Sequence, residues 1–339
     1  VQTCALPICP VYHTGEWPHD GVDFAGKRVG IIGTGSSGVQ AIPVIAKQAE
    51  HLYVFQRTPN YTVPARHGTV TQESLAEVKR NYDAIMTKAK WSTGGAHYDP
   101  SEILAMSVSD SEREAIFERA WQEGGFKFLV DTFADITTDL DANKTASDFI
   151  RKKITEIVKD PVVAKKLCPT DHPFASRRPL IDTDYFDTYN RPNVTLVDIF
   201  EAPVEEITPT GIRTTAANYD LDIIVFATGF DAANYLQSFR VTGQDGADLQ
   251  QVWKGEPEAL LGMMVPGFPN FFMMYGPNTN AVPLVSFYEA QASFAAALIA
   301  KLKDPAKKVV RVKPEAFRRF NDRLQAQLAK TVWAETASY

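Results

Sequence analysis

The chain has 339 residues, 45% hydrophobic and 22% charged, the balance of a globular protein long enough for about two domains. Its 35 basic against 41 acidic side chains give a formal charge of −6, which argues against nucleic acid as the main partner. Three cysteines, Cys4, Cys9 and Cys168, make neither an even disulfide framework nor a metal-ligand spacing, so a reducing, cytoplasmic setting without a metal site is expected.

Val1 to Pro10 is uncharged and without clear period, and reads as an extraneous leader outside the fold. Residues 11–26 read as irregular and carry His13, Trp17 and Pro18. Arg28-Val29-Gly30-Ile31-Ile32 is a short apolar run expected to be a buried strand. Gly33-Thr34-Gly35-Ser36-Ser37-Gly38 follows as Gly-x-Gly-x-x-Gly, and Val39 to Gln48 reads as a helix. In a strand–turn–helix unit the first glycine permits the tight turn, the second lets backbone approach a pyrophosphate, and the third allows close helix packing. The helix N-terminus adds free N–H groups and the positive end of its dipole. Thr34, Ser36, Ser37 and Gln40 are counted with the glycines as candidate cofactor contacts. Pro43 inside the helix is expected to kink it rather than end it.

A second strand follows at Leu52-Tyr53-Val54-Phe55. An NAD site places Asp or Glu at its end to bond the ribose 2′-hydroxyl, but Arg57-Thr58 stands here. A guanidinium suits a 2′-phosphate through charge-assisted hydrogen bonds, so the expected nucleotide is NADPH.

From Thr71 the chain reads helical as far as Leu167. Leu75, Val78, Tyr82, Ile85, Met86 and Ala89 recur at helical spacing and are expected to be a core face. Ser109-Asp110-Ser111-Glu112 is a capping box before Ile116, Phe117, Ala120 and Trp121, with Gly124-Gly125 as the stop. Ala146, Phe149, Ile150, Ile154, Ile157 and Val158 form a third stripe, and Asp160-Pro161 opens a short helix.

Strand signals return at Val194 to Val197, then a hairpin from Val204 to Thr215, then a buried run Leu221 to Phe226. That run ends in Thr228 and Gly229, as expected where a parallel strand meets a ligand at its carboxyl edge. Ala259 to Tyr288 has no charged residue, yet its prolines, glycines and asparagines exclude a membrane span. Phe271 to Tyr275 reads as a further buried strand running into the turn Gly276-Pro277-Asn278-Thr279, whose amides and Asn278 side chain face a ligand. Two helices close the chain, Val285 to Leu302 and one opened by Pro314 with Phe317, Phe320, Leu324 and Leu328 inward.

Taken together these segments resemble the flavin-dependent Baeyer–Villiger monooxygenases. The family fingerprint Phe-x-Gly-x-x-x-His-x-x-x-Trp-Pro matches at His13, Trp17 and Pro18, while Pro7 and Cys9 stand where Phe and Gly are expected. The glycine motif, VFQRTPN, ATGFD and YGPNT follow in family order. The related amine hydroxylases carry Phe at the position of Trp17, so the resemblance favours the ketone-oxidising branch. It implies NADPH and FAD as cofactors and O2 and a ketone as substrates, with an ester or lactone as product. It also implies that Arg178, in His172-Pro-Phe-Ala-Ser-Arg-Arg-Pro179, stabilises the anionic oxidant formed from flavin and oxygen, and that Arg177 lies near the 2′-phosphate.

The implied fold is α/β: a doubly wound, Rossmann-like NADPH domain (residues 11–67 and 172–229) with a helical insertion (68–171). Residues 230–339 would be part of a second, FAD-binding α/β domain. The family's FAD unit has its own upstream Gly-x-Gly-x-x-Gly, and only one such motif occurs here. The resemblance therefore describes a fragment that would be inactive alone. Two alternatives stay open: a flavin N- or S-monooxygenase, and an NADPH-binding module without catalysis. The ketone and the oligomeric state are not specified.

Overall fold

The computed structural model describes residues 9–92, 95–231, 234–279 and 283–336. In chain order the strands are β1 (Val11–His13), β2 (Arg28–Ile32), β3 (His51–Gln56), β4 (Thr62–Pro64), β5 (Leu180–Asp182), β6 (Val194–Asp198), β7 (Val204–Thr208), β8 (Gly211–Thr214), β9 (Asn218–Asp220) and β10 (Ile223–Phe226). The helices are α1 (Ser36–Ala46), α2 (Gln72–Arg80), α3 (Tyr82–Trp91), α4 (Asp110–Glu123), α5 (Lys127–Val130), α6 (Leu140–Ile157), α7 (Pro161–Leu167), α8 (Tyr185–Thr188), α9 (Leu249–Trp253), α10 (Leu284–Lys301) and α11 (Pro314–Leu328).

The chain forms two compact units. The first takes residues up to Gly68, Pro100–Phe230 and the stretch from Val332. Its centre is an all-parallel sheet in the order β1-β10-β2-β3-β6. Side chains alternate across this sheet because successive Cβ atoms point to opposite faces. Val29, Ile31, Leu52, Val54, Ile223 and Val225 point into one core with α1 and the aromatic residues Phe117, Phe128, Phe149 and Phe174. Phe55, Val197 and Ile224 point the other way, onto Ile207 and Ile212 of the antiparallel sheet β7-β8-β9. Gly30 belongs to that second face, where a Cβ would lie 2.5 Å from Leu221 Cδ1. The α/β reading with a parallel sheet is thus borne out, and α1 runs through Pro43 to Ala46, so the proline does not end it.

Several expectations are corrected in this unit. Residues 11–13 are not irregular but form β1, the sheet edge paired to β10. Cys9 and Pro10 belong to the fold: Ile224 N–H donates to the Pro10 carbonyl at 3.1 Å, and Cys9 packs on the second core. The rest of the supposed leader lies outside the described residues. The hairpin gains a third strand, β9, and β4 pairs with β5, neither of which was expected.

The second unit takes Thr69–Asp99 and Asp231–Thr331, so compactness does not follow the expected segment boundaries. The helices of 68–171 divide between the units, with α2 and α3 falling in the second. Their stripe is not a core face: α2 has no buried residue, α3 buries only Ala89, and Tyr82 is 55% exposed. Asn81 also breaks the run between them. Phe271 to Tyr275 is not a strand, since among the described residues no ladder pairs with it; Met273 N–H instead donates to Met263 O at 2.8 Å. Its buried groups include Leu249, Trp253, Phe268 and Met273 in one cluster and Met263, Met264 and Val312 in another. Phe317, Phe320, Leu324 and Leu328 of α11 are only half-buried.

Candidate functional site

The chain steps from β2 outward to β3 and β6, then returns to β10 on the other side, so the switch of direction lies at the carboxyl end of β2. Ligands bind at such points in open parallel sheets. The glycine turn sits there, and its three glycines have different neighbours. A Cβ on Gly33 (φ +108) would lie 2.4 Å from the Ala227 carbonyl oxygen, and one on Gly38 2.2 Å from the Gly33 oxygen. One on Gly35 would meet nothing within 4 Å. The fold itself requires the outer two, and the middle one keeps the surface open to a ligand. Gly35 is the N-cap of α1, with no side-chain cap and no acidic residue in the first turn, so the helix's first amides are left for an outside anion. Ser36, Ser37 and Gln40 are exposed, whereas Thr34 is buried and its Oγ1 donates to the Thr58 carbonyl at 3.3 Å. Thr34 therefore ties the turn to the loop that leaves β3.

Arg57 begins that loop and is exposed. Among the described residues no carboxylate lies within ion-pair distance of Arg57 or of Arg178. Three residues on, Asn60 Oδ1 accepts the Tyr61 N–H at 2.8 Å and lies 3.4 Å from His172 Nε2. The arginine segment thus meets the loop that leaves β3. His172 has a fully buried side chain, set edge-on to Tyr61, and burial holds its pKa below the ordinary histidine value.

The segment is fastened to α6. Phe174 N–H donates to Asn143 Oδ1 (3.0 Å) and Ser147 Oγ (3.2 Å), and Asn143 Nδ2 donates back to the Phe174 carbonyl (2.7 Å). Arg151, a turn further along, donates to Tyr61 Oη at 2.7 Å and the Pro169 carbonyl at 3.0 Å. The sequence reading missed these anchors. Their signal was available: Asn143, Ser147 and Arg151 recur every four residues beside an apolar stripe. Beyond Ala175, which takes a left-handed φ of +64°, Arg177 Nη2 donates to Asp171 Oδ2 at 3.4 Å. Arg178 is exposed, with its guanidinium 5.9 Å from the Phe126 ring centre.

The fingerprint residues sit beside the end of β10. His13 pairs in register with Phe226 and packs edge-on against Phe230, and its Nδ1 accepts the Gly15 N–H at 3.1 Å. Trp17 rests on Tyr12 and Phe24, next to the half-buried Pro18. Thr228 and Gly229 (φ +88) are exposed at the same edge.

In the second unit the turn 276–279 closes on itself. A Cβ on Gly276 would lie 2.2 Å from the Gly262 oxygen, and Thr279 Oγ1 donates to Gly276 O at 2.7 Å. Pro277 and Thr279 are buried, and Asn278 (φ +63) is exposed. Gln291, the one buried side chain of α10, braces the turn by accepting the Tyr275 N–H and donating to the Leu261 carbonyl, each at 3.2 Å. A lone glutamine on an apolar helix was the clue to it.

No group of three or more potential metal ligands occurs among the described residues, nor any helix long and apolar enough to cross a membrane.

No family profile matches the chain. It is 40% identical over 341 residues to the 2-oxo-Δ3-4,5,5-trimethylcyclopentenylacetyl-CoA monooxygenase of Pseudomonas putida, covering 97% of this chain and 62% of that protein. It is 41% identical to phenazine N-monooxygenase PhzNO1 of Lysobacter antibioticus, covering 97% of this chain and 61% of that one. To a Baeyer–Villiger monooxygenase of Pseudooceanicola batsensis it is 45% identical, covering 87% and 54%. The chain therefore spans about three-fifths or less of these relatives. Crystal structures of OTEMO with FAD and NADP superpose with TM-scores of 0.96 and 0.94 at 38% and 37% identity, covering the whole of this chain and 65% and 67% of theirs. The glycine turn, the arginine segment and these likenesses agree: the chain belongs to the flavin-dependent Baeyer–Villiger monooxygenases.

Proposed function

We propose that this chain is the nucleotide-handling part of a monooxygenase that uses NADPH and FAD to insert one oxygen atom from O2 into a ketone, giving an ester or lactone. One observation carries the reading. The open Gly35 turn and the Arg177-Arg178 segment both meet the loop that leaves β3, the first through the Thr34–Thr58 hydrogen bond and the second where the buried His172 ring lies 3.4 Å from Asn60 Oδ1.

In this reading Gly33 to Gly38 hold the pyrophosphate at the α1 N-terminus, and Arg57 and Arg177 bind the 2′-phosphate. Thr228 and Gly229 border the nucleotide, and Asn278 in the turn 276–279 contacts FAD. When bound, FAD supplies the oxygen chemistry, which no side chain here can. Arg178 holds a permanent cation beside the negative charge that develops on the transferred oxygen, a role that suits a group unable to lose its proton. Its place over Phe126, with no carboxylate within ion-pair distance among the described residues, leaves that charge for the reacting oxygen. Trp17 and His13 shape the edge beside Phe230. The two described cysteines are unpaired, in keeping with a cytoplasmic setting.

The deciding experiment follows the products that the flavin-loaded enzyme makes with NADPH under oxygen from a cyclic ketone, an amine and a thioether. Lactone from the ketone is the expected result. The likeness to a phenazine N-monooxygenase favours N-oxidation as the second reading, and an N-oxide without lactone would establish it instead. Nucleotide binding with no product from any of the three would leave a binding module.

A further inference from the structure

Asp171 lies just before the arginine segment and has no part in the reading above, where His172, which opens the segment, only joins it to the loop after β3. The carboxylate of Asp171 is held from two sides. Its Oδ1 accepts from His172 Nδ1 at 2.7 Å, and its Oδ2 accepts from Arg177 Nη2 at 3.4 Å. His172 has no exposed side-chain surface, whereas Asp171 and Arg177 are 46% and 30% exposed. The histidine is an internal post, fixed edge-on to Tyr61 with its Nε2 3.4 Å from Asn60 Oδ1, and the other two stand at the surface.

The histidine's charge state matters. Burial works against the charged ring and shifts its pKa below the ordinary value, favouring the neutral form. With Nδ1 carrying the proton, it orients the Asp171 carboxylate through a hydrogen bond without cancelling the negative charge. That charge is left to hold Arg177. The contact uses one Nη2, and among the described residues nothing else takes the other guanidinium donors, which are open to a second anion. An arginine side chain loses much rotamer freedom when it engages a ligand, and fixing it beforehand removes part of that cost. Repulsion between Asp171 and a phosphate opposes this, and the two donors already on the carboxylate reduce it.

We propose that Asp171, anchored by His172, is a positioning residue that presets the Arg177 guanidinium for the 2′-phosphate and thereby widens the preference for NADPH over NADH. The inference rests on the reading of Arg177 as a 2′-phosphate contact.

Dissociation constants for NADPH and NADH, measured by fluorescence titration on the chain, test it. Arg177→Ala should weaken NADPH by roughly tenfold or more, with NADH little changed. Asp171→Ala should weaken NADPH by about 2- to 10-fold, the range for immobilising one flexible side chain, again sparing NADH. Asp171→Asn keeps the shape without the charge and should show part of that loss. His172→Phe keeps a ring but no donor and should share the loss, while His172→Gln, which can offer an N–H to Asp171, should recover part of it. NADH binding doubles as a fold control, since a merely structural defect weakens both nucleotides alike. Equal losses for both nucleotides, or an NADPH affinity unchanged or improved in Asp171→Ala, would overturn the positioning role while leaving Arg177 in place. An unchanged nucleotide ratio in Arg177→Ala would instead remove the reading beneath it, and the inference with it.

Discussion

A methyl group distinguishes the roles of two glycines in one turn. Gly35 has an ordinary extended backbone (φ −79°) and open space around its Cβ position, so Gly35→Ala should fold normally. It should weaken NADPH binding by roughly tenfold or more, because the pyrophosphate must approach that backbone closely. Gly38→Ala should instead destabilise the first unit by about 1–3 kcal/mol, since its methyl would press on the Gly33 carbonyl. Thermal melts beside nucleotide titrations separate the two, and a normal melt for Gly38→Ala would contradict the packing argument. Arg57→Ala should cost NADPH binding about 1.5–3 kcal/mol and NADH almost nothing, as only the 2′-phosphate loses a charged partner. In the flavin-loaded enzyme, Arg178→Ala should bind nucleotide as before but form ester roughly a hundredfold more slowly. Normal ester formation in that variant would remove Arg178 from the mechanism.

The pairing of β4 with β5 carries a charge that the fold does not favour. Asp182 is buried, with Oδ2 accepting from Thr62 Oγ1 at 2.6 Å and Oδ1 from Tyr185 N–H at 3.1 Å. Burial is the largest influence and raises its pKa above 3.8, outweighing these two bonds. The folded state therefore binds this proton more tightly than the unfolded state does. The resulting stability is fully present below the unfolded carboxyl pKa and is lost as pH rises through the folded value. Asp182→Asn removes that dependence while an amide can still bond Thr62 and Tyr185. Its stability relative to wild type, read from urea midpoints, should improve as pH rises above about 4 and level off once pH has passed the folded pKa. A constant difference across that range would show that Asp182 does not titrate with folding. At this same scale, α2 and α3 show the limit of periodicity. Leu75, Val78, Tyr82 and Met86 do share helix faces, yet all are exposed. A stripe identifies which face of a helix is apolar, and burial depends on what lies opposite it.

Each unit has its own buried clusters, the first around the parallel sheet and the second around Trp253, Phe268 and Met264. Heat should accordingly unfold the chain in more than one calorimetric transition. The glycine turn, Arg57 and Arg177 all lie in the first unit. NADPH should therefore raise the transition of that unit, by about 2.7 kcal/mol at a hundred times its dissociation constant, and leave the other where it was. A shift of both transitions, or of the second alone, would place the nucleotide elsewhere.

Much of the proposed nucleotide site was legible as strand, turn and helix because its signals are local. The strand β2, the turn Gly33 to Gly38 and the start of α1 lie in one continuous stretch, and each residue type answers a backbone need within a few neighbours. The caps at Ser109 and Asp160 were readable for the same reason, as each side chain accepts amides two or three residues on. The resemblance carried Arg177 and Arg178, which no local pattern distinguishes from a surface pair. Tertiary structure alone decided the rest. Three-residue strands such as β1, β4 and β5 are too short for a period and exist only through partners far along the chain. The meeting of Asn60 with His172, and the bracing of Phe174 by Asn143, join segments more than 30 residues apart. The opposite outcome at Phe271 to Tyr275 has the same cause: an apolar run becomes a strand only where another strand takes its hydrogen bonds.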